Sequence, residues 1–269
     1  MGNKRFRAEN DPEPGTSSGD AVRQSQWLRK DPGLVGSRIP AFQKPVLSPE
    51  MEETFASVTS AFQYYKLFQP DRFVDEIIYQ SKLYSVQKDF SRKVQDCIST
   101  DTYRCTEAML LMSGYHQVPR RKMIWEQKPD CHNAMIANAI RRDSADAMLK
   151  SLHFRDNSKI DGDCYFKVRP IFENLNKAGK YFLDGQHYSV DEAMIPYFGR
   201  HHTKQYIYGK PVRFGYKVWC LGTSDGAGVY FEPYCGKDTN VVDNQLGQGP
   251  NVVLDLVGKV IYTYIPTFF

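Results

Sequence analysis

The chain has 269 residues, of which 41% are hydrophobic and 13% aromatic, enough apolar side chain for a packed core in one or two domains. Its 35 basic and 31 acidic residues leave a net charge of +4, so total charge alone does not identify a nucleic-acid binder and the local distribution must carry that question. No run approaches the roughly 18 consecutive apolar residues of a membrane span, the N-terminus has no hydrophobic signal core, and Phe6 stands where a myristoylation motif needs Ser or Thr, which argues for a soluble, non-secreted protein with no membrane partner.

Residues 1–50 are rich in Pro, Gly, Ser and charge, with Pro12, Pro14, Pro32, Pro40, Pro45 and Pro49 spread through them and no sustained period, the signature of a disordered tail. Lys4, Arg5 and Arg7 form a short basic cluster of the kind that assists nuclear import, and a nuclear location is the expectation. From about Phe55 to Lys82 the pattern is helical. Phe62, Tyr65 and Leu67, then Phe73, Ile77 and Ile78, recur at three- to four-residue spacing, and Pro70-Asp71 starts the second element. Thr106 to Gly114 and Cys131 to Ile140 are predicted as further helices, and Ser144 is placed as the cap of a helix running to Leu152.

Two basic groups fall in this helical stretch. Arg120-Arg121-Lys122 and Arg141-Arg142 are candidates for phosphate contacts, because a guanidinium presents paired donors in a planar fork. For Arg141-Arg142 an ion pair with the adjacent Asp143 is an equally good reading. For Arg120 to Lys122, with only Glu126 nearby, contact with phosphate and a solvated face balance. His153 is expected to be part-buried and hydrogen-bonded, and Trp125 and Trp219 to serve packing.

The strands come next. Tyr188 and Val190 alternate with Ser189 and Asp191, which turns Asp191 away from the apolar pair. Pro196, Gly199-Arg200 and Gly209 to Pro211 mark turns. Phe214, Tyr216, Val218 and Cys220 then share one face of a second strand, with Arg213, Lys217 and Trp219 on the other, and Val229 to Phe231 forms a third strand after the turn at Ser224-Asp225-Gly226. From Ala193 to Ser224 there is no Asp or Glu. Within that window Arg200, Lys204, Lys210, Arg213 and Lys217 alternate with Tyr197, Tyr206, Tyr208, Phe214 and Tyr216, a mixture that grips phosphates and offers flat faces for stacking. The His201-His202 pair inside it is expected to be exposed. A carboxylate beside such a surface, Asp191 with Glu192 next to it, points to phosphodiester chemistry.

Asn251 to Val257 is predicted as a helix with Val253, Leu256 and Val257 on its apolar face and Asp255 on the solvated side. Six cysteines, at positions 97, 105, 131, 164, 220 and 235, show no Cys-x-x-Cys pair, so reduced thiols in an intracellular protein are expected.

Several strings in order carry a resemblance to a known family: Gly114-Tyr115 with Pro119 to Glu126, Ile140 to Asp143, Leu152-His153-Phe154, Lys167-Val168-Arg169-Pro170, and Val190-Asp191-Glu192 through Tyr216-Lys217. Over roughly residues 60–257 the chain resembles the piggyBac transposases, most of all their vertebrate domesticated derivatives. The resemblance implies a mixed α/β protein: a disordered tail at 1–50, a helical dimerisation and DNA-binding region at 51–180, and at 181–269 an incomplete ribonuclease-H-like sheet of the DDE transposase type.

The resemblance further implies three Asp residues holding two Mg²⁺ ions for in-line attack on a phosphodiester. Asp191 matches the first of them, as both catalytic residue and metal ligand. The second family Asp lies in a pattern similar to aromatic-aromatic-Asp-Asn-Phe-Phe, and Tyr264 to Phe269 laid on it puts Pro266 at the Asp position, unless the frame diverges after Gly258-Lys259. The third would lie beyond Phe269, as would the family's cysteine-rich zinc module. The expectation is therefore a C-terminally truncated chain with Asp191 vestigial, Mg²⁺ weakly held or absent, an open sheet edge and marginal stability. Double-stranded DNA is the implied partner, contacted through Arg120, Arg121, Lys122, Arg200, Lys204, Lys210, Arg213 and Lys217, with self-association or pairing with related chains beside it. Three functions follow: DNA binding without strand transfer, a working metal-dependent transposase, or an interaction fragment.

Overall fold

The computed structural model of the chain describes residues 48–183, 187–236 and 245–261. The expected tail lies outside these residues except at its end, where Ser48 starts a helix instead. Its Oγ accepts from Met51 N at 3.3 Å, and Pro49 opens α1, Pro49–Ala56. Ser60 and Gln63 form a reciprocal capping box at the start of α2, Ala61–Phe68. Pro70, with its φ already set, leads into α3, Asp71–Gln87, as the sequence predicts. A short α4, Arg92–Asp96, follows.

The next helix, α5, spans Thr100–Met112 and begins six residues before the expected Thr106, because the Ser99 side chain accepts from Thr102 N at 3.2 Å and so caps it earlier. Asn133 caps α6, Ala134–Ala139. The helix expected from Ser144 is α7, Arg142–Ser151. It starts at Arg141 with no side-chain cap, and Ser144 lies inside its first turn with its hydroxyl 3.9 Å from the Cys97 thiol. The helix α8, Arg169–Gly179, is not among the expected elements, although Ile171, Phe172, Leu175 and Ala178 recur along one face of it.

Two buried clusters tie these helices together. Val74, Ile77 and Ile78 of α3 pack with Ile98, Tyr103 and Met148. Met109 packs with Ile124, Ile136, Ile140 and Ala145, flanked by Trp125, whose indole N–H donates to Ile140 O at 2.8 Å. Since α5 supplies Tyr103 to one cluster and Met109 to the other, and α7 supplies Met148 and Ala145 in the same way, these two helices make the bundle one body. His153 is part-buried as expected, stacked on Tyr84 at 4.2 Å with Nε2 2.9 Å from Asn157 Oδ1.

The sheet has four strands: β1, Tyr188–Pro196; β2, Gln205–Tyr206; β3, Phe214–Thr223; and β4, Gly228–Pro233. All pairings are antiparallel, and β3 is central. Its partner on one edge is β1, in register from Tyr188↔Thr223 to Pro196↔Gly215; its other edge takes β2 at Gly215 and Phe214 and β4 from Val218 onward. The short β2 was not foreseen. At Gly215 the chains approach so closely that a Cβ there would lie 1.9 Å from Ile195 O. Leu183, Leu221 and Val229 form the sheet's own small core, with Tyr188, Val190 and Tyr230 against it.

The outer edge of β4 is closed by α8 rather than by a strand. The Asn176 amide donates to Phe231 O at 3.0 Å and accepts from Phe231 N at 2.8 Å, substituting for a strand's hydrogen-bond pair. Gly179 permits this docking, because a Cβ there would lie 2.0 Å from Val229 O. On the other side α8 reaches the helices, with Asn174 Nδ2 donating to Phe68 O at 2.5 Å.

The final helix, α9, covers Gln248–Ile261. Its orientation differs from the expected one. Val252 and Leu256 are buried and Val253 is exposed, so Asp255 faces the protein with its carboxylate 2.9 Å from Lys259 Nζ. Lys259 in turn reaches Glu232 at 3.4 Å, and the Arg169 guanidinium joins Glu232 at 3.1 Å and Asp163 at 2.7 Å. This chain of opposite charges joins α9, β4, α8 and the loop before it, with every carboxylate compensated. A helical region followed by a sheet, the mixed architecture expected from the sequence, is present. No helix among the described residues is long and apolar enough to cross a membrane.

Candidate nucleic-acid interface

The basic and aromatic window folds as an excursion from the sheet. The chain leaves β1 at Pro196, loops to β2, and returns through a turn at 207–213 into β3. Ile207 N donates to Arg213 O at 2.9 Å to close that turn, and Gly209 lies in the left-handed region at φ +83, open to glycine at little cost.

An aromatic knot holds the excursion at its base. The Tyr216 ring stacks on Tyr197 at 4.8 Å and meets His201 and Tyr165 edge-on at 5.4 and 5.8 Å. His201 and His202, both solvent-facing as expected, stack at 4.4 Å, and His201 Nδ1 lies 2.8 Å from the hydroxyl of buried Thr203. Burial, and then the neighbouring His202, hold the His201 imidazole below its ordinary pKa.

Above this base the surface is open. Phe198 is 92% exposed and Tyr208 85%, with Tyr206 and Phe214 half-exposed beside them. Arg200 and Arg213 are exposed and, among the described residues, have no carboxylate within ion-pair distance. Lys204 lies over the Phe214 ring at 5.4 Å and donates to Gly199 O at 3.2 Å, which keeps its ammonium beside the two arginines' loop. Cations without counterions beside exposed rings can bind phosphate and stack bases.

The structure separates the eight basic candidates. Lys210 turns back to β1, 3.1 Å from Glu192 Oε1 and 3.9 Å from Asp191 Oδ1, and the Glu192 hydrogen bond raises its pKa. Lys217 sits 3.6 Å above the Trp219 ring and 5.4 Å from that of Tyr234, and burial lowers its pKa. In the helical region, Arg121 and Lys122 both bind Asp146, at 2.8 and 3.3 Å. Burial pushes the Asp146 carboxyl up, but the hydrogen bonds and charges of Arg121 and Lys122 outweigh it and hold the group below the usual aspartate range. Arg120 remains exposed beside them. Arg142 pairs with Asp143 at 3.0 Å, as the alternative reading had it.

Asp191 points away from the apolar face, as its alternation requires, and its side chain is 75% exposed. Its Oδ1 accepts from Glu192 N at 2.8 Å. The nearest other carboxylate, Glu192, leaves the strand on the opposite face, where it pairs in register with Trp219 and binds Lys210. Among the described residues no three His, Cys, Asp or Glu side chains converge as a metal site, and Pro266 lies outside them. Two Mg²⁺ ions need several converging oxygens, so the side chains described at Asp191 do not fit such a centre. The six cysteines are free thiols.

Sequence reasoning missed Asp146, Glu232 and Asp163. Asp146 lies twenty-five positions from Arg121, and no local pattern links them. For Glu232 and Asp163 a signal existed, the Lys167-Val168-Arg169-Pro170 string, but nothing in it names the partners of Arg169.

Residues 60–261 match the protein family described as Transposase IS4. The chain is similar to the human PiggyBac transposable element-derived protein 3, 40% identical over 191 residues that are 70% of this chain and 32% of that protein. It is also similar to the human PiggyBac transposable element-derived protein 2, 36% identical over 211 residues, 78% of this chain and 35% of that one. The chain thus spans about a third of the length of these relatives. Its fold is like that of a piggyBac transposase seen by cryo-electron microscopy in a synaptic complex with hairpin DNA. The TM-score is 0.65 and the identity 19%, over 76% of this chain and 44% of that one.

Proposed function

The chain belongs to the Transposase IS4 family, in its piggyBac branch, and from that premise we propose that it binds double-stranded DNA through the excursion between β1 and β3 without cutting or joining strands. The carrying observation is the exposure of Arg200 and Arg213, free of carboxylates among the described residues, beside Phe198 and Tyr208. Arg200, Lys204 and Arg213 bind backbone phosphates, and the exposed rings pack against sugars or frayed bases. The like-folded transposase bound to hairpin DNA supports DNA as the ligand. Three phosphate contacts release condensed counterions, so the logarithm of the affinity falls against the logarithm of salt with a slope of about −2.7.

Strand chemistry is left out of the reading because the Asp191 carboxylate has a lysine and no second converging carboxylate beside it among the described residues. The protein acts in the nucleus, where its ligand is. A second reading, pairing with another copy or a related chain through residues 51–180, is favoured by the exposed Leu110, Leu111 and Tyr115 at the end of α5.

Fluorescence anisotropy of a labelled duplex across a salt series, with and without Mg²⁺, tests the proposal. Binding that weakens steeply with salt and ignores Mg²⁺ is expected. Absence of binding at low salt, from a sample shown to be folded, overturns it and leaves the pairing reading, which sedimentation velocity examines directly.

A further inference from the structure

We propose that Lys210 is the resident cation of the Asp191–Glu192 pair: its ammonium stands where a divalent ion would otherwise be drawn and closes this acidic site to metal. The proposal goes beyond DNA binding, and its test contains no DNA.

Geometry carries it. Consecutive strand residues leave on opposite faces, so the carboxylates of Asp191 and Glu192 can share a ligand only around the edge of β1. Lys210 lies there, 3.1 Å from Glu192 Oε1 and 3.9 Å from Asp191 Oδ1. An ammonium on a four-carbon stem has three donors and tolerates unequal distances. A divalent ion drawn to Asp191 would have to displace that ammonium and complete its shell with water.

The surroundings assign the role to Lys210 alone. The Glu192 side chain is only 24% exposed and needs a counter-charge. Lys217, the other cation near it, is held over the Trp219 ring. Asp191 Oδ1 already accepts from Glu192 N, which fixes the carboxylate's orientation. Lys210 is itself presented by a turn between Gly209, in the left-handed region, and Pro211, whose ring fixes its own φ and restricts the residue before it.

The test is a titration of the full chain with Mn²⁺ alone, reading free Mn²⁺ by electron paramagnetic resonance, on the wild type, Lys210→Met, Lys210→Gln, and Lys210→Met combined with Asp191→Asn. Circular dichroism confirms that each is folded. The wild type is expected to leave Mn²⁺ free, and both single variants to bind it at least about tenfold more tightly. The double variant loses that gain. Wild-type binding through Asp191 as tight as that of Lys210→Met would overturn the proposal, as would single variants that gain no Asp191-dependent binding. In chains that keep Lys210, the ¹³C resonance of reductively methylated Lys210 should move between the wild type and Glu192→Gln, and in the wild type it should stay unbroadened in Mn²⁺. Broadening confined to this resonance would count against the proposal.

Discussion

Two basic stretches, Arg120 to Lys122 at the start of the 3-10 turn Arg121–Trp125 and Arg200 to Arg213 beside the sheet, carry the same signal in the sequence and end in different electrical states. In the first, Asp146 from α7 binds both Arg121 and Lys122. In the second, Arg200 and Arg213 meet no carboxylate among the described residues, while Lys210 and Lys217 of the same window are turned inward to Glu192 and Trp219. A basic run therefore says little about a phosphate surface until its counterions are located. The distinction is one of long-range packing, since α7 docks on α5 and brings its carboxylate with it.

The largest effect expected from separating the two regions is that of Gly179→Ala. A Cβ 2.0 Å from Val229 O forces α8 off β4 at an overpacking cost of about 3 kcal/mol. Hydrogen exchange should show faster opening of the β4 amides with the α5 amides unchanged; equal loosening of both would break the picture of a sheet docked on an independent helical core. Next comes Arg200→Ala with Arg213→Ala, which should weaken DNA binding at least about tenfold and lower the salt slope by about 2, with the melting temperature unchanged. The corresponding Arg121→Ala, Lys122→Ala pair should change affinity by less than about twofold.

Smaller still, Asp146→Asn removes the counter-charge from Arg121 and Lys122. It should lower stability by about 1 kcal/mol in urea melts and slightly raise DNA affinity, bringing the two stretches closer together. Acid supplies the mildest probe. The Arg169 hydrogen bonds hold Asp163 below its ordinary pKa despite burial, and Asp146 is held low by Arg121 and Lys122. Folded values below the unfolded value of about 3.9 mean that this stabilisation is complete above that pH and is lost as pH falls through the folded values. Urea midpoints should thus fall as the pH drops below about 4, less steeply in Asp146→Asn than in the wild type.

The legible parts of the sequence were those governed by local rules. Pro70 before α3, the alternation around Asp191 and the turn at Ser224 to Gly226 each depend on neighbours within a few positions, and each appears as expected. At α7 locality misled: Ser144 resembles a cap, yet the helix starts at Arg142, two residues before it, with no side-chain cap. The helix α8 carries a legible apolar stripe at Ile171, Phe172, Leu175 and Ala178, but its docking could not be read, because the contacts that fix it are polar and distant, Asn174 to Phe68 and Asn176 to Phe231. Asp255 failed for a related reason, since its Lys259 and Glu232 partners make an inward-facing carboxylate acceptable. At the candidate interface the residue types could be read, but which lysines turn inward could not, because Glu192 and Trp219 claim them only once β1 and β3 are paired.

The most direct measurement of the central claim is photocrosslinking of the full chain to a duplex containing 5-iododeoxyuridine, with the attached peptides mapped by mass spectrometry. Crosslinks at Phe198, Tyr206, Tyr208 or Phe214, with none at Tyr115 or Trp125 beside the ion-paired helical stretch, are the predicted result. Crosslinks confined to the peptides around residues 115–125, with the excursion between β1 and β3 unmarked, would contradict it.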